Sequence, residues 1–163
     1  MRLFFILLLT SLTCEIFSQS LTQEEKALED WLPASIGEYK LDGAPMTVTS
    51  RSGEKPYSMS SKNYKKGSSV LGVIIFDYKN NPDLLKKYTS SWISSPPEDK
   101  VKHSAKLTID ELPAWESVDK KENTAQLYIN IKDRYLLFLS VSGNSAGFLR
   151  TAAKNLKLRE LPL

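Results

Sequence analysis

Cysteine is almost missing from this 163-residue chain, which has only Cys14, and histidine is as scarce, with only His103. The seven Gly and eight Pro are too few for a flexible linker or a collagen-like repeat. No apolar run approaches the ~20 residues of a membrane-spanning helix, and the longest one past the N-terminus, Val70–Phe76, is strand-sized. Each scarcity removes a chemistry. One His and one Cys leave a zinc centre without ligands. No acidic loop has calcium-binding spacing. No Gly-rich loop precedes a helix to cradle a phosphate, because Gly67 and Gly72 fall within a hairpin pattern. Charge of one sign is also in short supply: 22 Lys and Arg against 19 Asp and Glu give a net charge of only +3. The chain that remains, 41% hydrophobic and 25% charged, has the composition of an ordinary globular protein.

The first twenty residues read as a signal peptide and residues 21–163 as a single domain. Arg2 precedes Leu3-Phe4-Phe5-Ile6-Leu7-Leu8-Leu9, an apolar run of signal-peptide length, and Ser18-Gln19-Ser20 supplies the small-x-small pattern for cleavage. Cys14 is a poor lipid-anchor site, since Ser11, Leu12 and Thr13 precede it where Leu and a small residue are usual. It is expected to leave with the leader, so the mature chain has no disulfide or thiol nucleophile. The expectation is an exported bacterial protein, periplasmic or extracellular, with no transmembrane segment in its mature part.

Thr22 and Glu25 form a capping-box signature ahead of Leu28, Trp31 and Leu32, and Pro33 ends that helix. Strands are expected at Glu38–Leu41, Met46–Ser50, Tyr57–Lys65 and Val70–Tyr78. A helix follows, with Asn81 and Pro82 at its start and Leu84, Leu85, Tyr88 and Trp92 on one stripe. Residues 94–100 read as a loop. Four more strands come next, at Lys106–Ile109, Ala114–Lys120, Gln126–Ile131 and Tyr135–Ser142, with a tight turn at Lys132-Asp133. A last helix carries Phe148, Leu149, Ala152, Ala153 and Leu156 on one stripe, capped by Asn144 or Ser145. The strands around Val73 and Leu137 are apolar on both alternating sets, the mark of central strands covered on both faces. The fold class is therefore α+β: a mainly antiparallel sheet of about 6–8 strands with an N-terminal, a central and a C-terminal helix packed on it.

With Ile74-Ile75-Phe76-Asp77 leading into a helix and Tyr135–Val141 leading into the closing helix, the chain resembles the PsbP/Mog1-like group of small exported α+β domains. That resemblance covers most of the mature chain, rests on no signature motif, and implies an assembly or binding role without chemistry. The residues point the same way. His103 lies between Lys102 and Ser104 and reads as a loop residue, with no G-x-S-x-G elbow elsewhere. The adjacent acids Asp110 and Glu111 point apart, and Glu116 and Asp119 fall on opposite faces of a strand. Trp31, Trp92 and Trp115 are expected to pack rather than to form a stacking platform. The lysines Lys62, Lys65, Lys66, Lys86, Lys87, Lys120 and Lys121 are interspersed with acids and read as solvated faces. The expected function is a non-catalytic envelope module that binds a protein partner or small ligand, with no cofactor, no metal and no nucleic acid. The alternatives are a hydrolase using Asp77 or His103, or a surface factor contacting anionic polymers through lysines.

Hairpin register places the candidate site. A simple turn at Gly67–Ser69 sets Met59 opposite Phe76 and Ser61 opposite Ile74, on a face under a helix. The other face then carries Ser58, Ser60 and Lys62 beside Val73, Ile75 and Asp77. Hydroxyls, one cation and one acid over an apolar floor make Ser58, Ser60, Lys62 and Asp77 the candidate ligand-binding residues.

Overall fold

Two-residue turns set the topology. Gly67 (φ +60°) sits first in the loop joining Lys66 to its partner Ser69, and Gly53 (φ +62°) does the same between the partners Ser52 and Lys55. Positive φ at that position closes a hairpin in line with strand twist, and glycine takes it without strain. Asp110-Glu111 (φ 49° and 70°) and Lys132-Asp133 (φ 56° and 51°) turn the chain with both residues left-handed. The turn expected at Lys132-Asp133 is there, while Pro56, which falls between the expected strands Met46–Ser50 and Tyr57–Lys65, lies inside a strand because the turn before it is so short.

The structure, a computed structural model, describes residues 21–92, 101–143 and 146–161. The leader with its cleavage site, Cys14, the loop at 94–100 and the caps Asn144 and Ser145 lie outside those residues. The strands are Ser35–Ile36 (β1), Tyr39–Leu41 (β2), Met46–Ser52 (β3), Lys55–Lys66 (β4), Ser69–Asp77 (β5), Lys102–Ile109 (β6), Leu112–Asp119 (β7), Thr124–Ile131 (β8) and Tyr135–Ser142 (β9). The helices are Gln23–Trp31 (α1), Pro82–Thr89 (α2) and Ala146–Lys154 (α3), with a 3-10 turn at Leu158–Glu160. All nine strands join one antiparallel sheet in the order β1-β2-β4-β5-β9-β8-β7-β6, and β3 pairs with β4 beside β2. The class is α+β, as the sequence indicates. The count exceeds the expected 6–8 because β1 is only two residues long and carries too little pattern to read. The two runs apolar on both sets, β5 and β9, are neighbours at the middle of the sheet.

Side chains alternate between two unlike faces. One face carries Leu71, Val73 and Ile75 of β5, Leu127 and Ile129 of β8, and Leu137 and Leu139 of β9, all fully buried beneath α1 and α3. That core is mostly aliphatic. Leu28 and Leu32 bring the first helix onto it, and Leu149, Ala152 and Ala153 bring the last. The second face holds a smaller cluster, in which Leu85 of α2 meets Tyr78 and Leu136. Helix α2 is shorter on partners than its sequence stripe suggests. Leu85 is buried, but Tyr88 is 52% exposed. Asn81 precedes the helix without a side-chain capping bond, and its side-chain N–H donates to the Lys55 carbonyl.

Candidate functional site

The hairpin register is the one read from the sequence: Met59 pairs with Phe76, Ser61 with Ile74, and Ser58 with Asp77. Ser58, Ser60, Lys62 and Asp77 thus share one face of the sheet, and that face is the one α1 lies on. The hydroxyls there form a ladder across β3 and β4. Thr47 bonds Ser60 at 2.9 Å, and Thr49 bonds Ser58 at 3.2 Å. The ladder receives the acids of α1: Thr47 donates to Glu29, and Thr49 and Ser58 donate to Glu25. Glu25 also accepts from the Thr22 backbone and hydroxyl, completing the capping box. These bonds, the Thr49 hydroxyl foremost, hold the Glu25 carboxyl below its ordinary pKa against the opposing effect of burial.

The remaining two candidates have equally definite partners. Lys62 Nζ donates to the Leu32 carbonyl at the end of α1, at 2.6 Å. Asp77 accepts a bidentate pair from Arg134, at 2.9 and 2.6 Å, and a third bond from the Lys79 backbone. Both members of that pair are largely buried. The Asp77 hydrogen bonds raise the Arg134 pKa further, and the guanidinium lies 4.6 Å from the Tyr135 ring centre. Ser60 is completely buried. Ser58 and Asp77 border a cleft of about 390 Å³ at the start of α1, whereas Ser60 and Lys62 do not reach it. The structure therefore brings the four residues onto one face without giving them one common cavity. His103 lies in β6, paired with Val118, and not in a loop: the Lys-rich stretch around it is an edge strand, whose charges suit exposure on that edge. His103 and Asp77 lie on strands separated by β9, β8 and β7. Among the described residues no three His, Cys, Asp or Glu side chains gather where they could hold a metal ion.

The opposite face, on which α2 is the one helix packed among the described residues, differs in composition. A groove of about 590 Å³ runs over β5, β9, β8 and β7 beside α2, with twelve lining residues. Eight are aromatic, half the Phe, Trp and Tyr content of the whole chain, and none is Lys, Arg, His, Asp or Glu. Ile74, Phe76, Leu136 and Phe138 lie in the floor strands, Tyr128 and Trp115 extend it, and Tyr88 and Trp92 line it from the α2 side. Tyr57 stacks on Tyr78 with ring centres 5.3 Å apart, and Tyr128 tilts against Phe138 at 4.8 Å. Burial pushes the Tyr78 and Tyr128 hydroxyls to higher pKa, so both stay neutral phenols throughout the physiological range.

Register explains the gathering. Ser61, Ile74, Phe138, Tyr128 and Trp115 are successive cross-strand partners on β4, β5, β9, β8 and β7. The adjoining row on the same face runs Asn63, Gly72, Ser140, Gln126, Ser117 and Ser104. An apolar band thus lies directly beside a band of neutral hydroxyls and amides. The sequence places Met59, Ser61, Ile74 and Phe76 on one face under a helix and the tryptophans in packed positions; Trp31 and Trp92 do pack against the two clusters, while Trp92 and Trp115 also line the groove. The signal it lacked was the pairing of β5 with β9, which aligns the aromatic positions of separate strands.

Compared with family models, with curated proteins and with solved structures, the chain matches none.

Proposed function

We propose that this chain is a non-catalytic binding domain of the bacterial envelope, and that the aromatic face captures an uncharged ligand. One observation carries the reading: half of the aromatic residues line a single groove whose lining carries no formal charge, while an aliphatic core fills the other face of the sheet. A concave, mostly apolar lining with a few neutral polar groups is the usual make-up of a ligand site. Rigid rings give large contact area at low conformational cost. The exported location rests on the leader sequence, and among the described residues no helix is long and apolar enough to cross a membrane. The resemblance to PsbP/Mog1-like domains supports a role in binding rather than in catalysis.

The probe is N-phenyl-1-naphthylamine, an uncharged dye that brightens in apolar sites. The wild-type protein is expected to bind it, with Trp115→Ala and Tyr88→Ala each weakening capture at least tenfold while melting moves only a few degrees. Tyr88 is exposed on α2, so its truncation spares the fold. Unchanged capture in both variants would place the site elsewhere.

A further inference from the structure

We infer that the occupant of the aromatic face is a neutral glycan chain lying across the strands, an assignment that rests on that face being the binding site. A pyranose ring is two-sided: its axial C–H groups make an apolar face and its hydroxyls a polar rim. The protein face is divided the same way. Phe138, Tyr128 and Trp115 supply ring surfaces, and one row away Asn63, Ser140 and Gln126 supply neutral donors and acceptors. An acyl chain has no use for the second row, and an ionic polymer would have no counter-charge in the groove.

Toward β6 the row is closed on itself, with the Ser104 hydroxyl donating to Ser117 at 3.3 Å, but from β4 to β8 its hydrogen-bonding capacity is largely unspent. Among the described residues no hydrogen bond engages the side chains of Asn63 or Ser140, and Gln126 uses only its carbonyl oxygen, which accepts from the Tyr128 hydroxyl at 3.1 Å. Nor does the indole N–H of Trp92 or Trp115 have an acceptor among the described residues, whereas that of Trp31 donates to the Lys157 carbonyl. Gly72 interrupts the row in the middle and leaves the surface flat where a Cβ would stand 3.5 Å from Asn63 Oδ1. From β4 to β6 the row crosses five strand spacings, roughly 24 Å, enough for several sugar units in line.

The test titrates cellohexaose, chitohexaose and maltohexaose, and the matching disaccharides, into the full chain while following tryptophan emission. At least one hexasaccharide is expected to bind, at least tenfold tighter than its disaccharide, with affinity unchanged between 0.05 and 0.5 M salt. The double variant Asn63→Ala/Ser140→Ala, at two positions of the polar row outside the groove lining, should lose that affinity at least tenfold yet still capture the naphthylamine dye, which reads the apolar band and confirms a folded groove. Dye capture without binding of any oligosaccharide would overturn the glycan assignment and leave the binding face standing. Failure of both would overturn the face as well. Affinity that falls steeply with salt would mean an ionic polymer, and a double variant that binds sugar normally would remove the polar row from the account.

Discussion

Glu25 shows how a single side chain can serve packing where a binding role is also conceivable. It closes the capping box of α1 and at the same time accepts from Thr49 and Ser58, so one carboxylate fastens the helix to β3 and β4. Its folded-state pKa is lowered from the ordinary 4.5. A depressed carboxyl contributes stability above its unfolded value and surrenders it as pH falls through the folded one. The melting temperature should therefore drop as the solution is acidified below about pH 4.5, and Glu25→Gln, less stable at pH 7, should show a smaller drop over the same range. Thermal melts of the two proteins at pH 7 and pH 3 check this, and parallel curves would remove Glu25 from the acid response. The capping box was legible because Thr22 and Glu25 are three residues apart. The partners of Ser60 and Lys62 were not, because the acids and the carbonyl that engage hydroxyl ladder and ammonium come from a helix whose placement no local pattern fixes. Likewise Asp77 reads as a lone acid at a strand end, and Arg134 is 57 positions away in sequence.

Among the elements, the hairpins were the most legible and the edges the least. The β4–β5 register followed from Gly67 and the alternation of apolar residues, and it is the register found. β1 is too short to show alternation, and only the second half of β6, from Lys106, reads as strand, because the Lys-rich first half looks like the end of a loop and takes His103 with it. The β6–β7 turn carries a measurable imperfection. Asp110 and Glu111 both adopt left-handed φ, the geometry that Asp-Gly and Asn-Gly satisfy best. Glu111→Gly relieves the strain of a side chain at φ 70° and forfeits only the exposed ion pair with Arg159. The expected result is a gain of about 0.5–1 kcal/mol in unfolding free energy. Denaturant melts with unchanged slope would record it, and a loss of stability would show that the Arg159 contact outweighs the strain.

At the scale of the whole molecule, one sheet separates two jobs. The aliphatic face, closed by α1 and α3, holds the fold together, and the aromatic face, edged among the described residues by α2 alone, carries the groove proposed to take a ligand. The three tryptophans sample this division. Trp31 belongs to the covered side and bonds the Lys157 carbonyl, while Trp92 and Trp115 line the groove. Their indole N–H resonances in 15N-labelled protein, followed during titration with the naphthylamine dye, therefore test the central claim most directly. The account predicts that the signals of Trp92 and Trp115 shift together and saturate at one ligand concentration while that of Trp31 stays in place. Movement of Trp31 alone, with the other two unchanged, would contradict it.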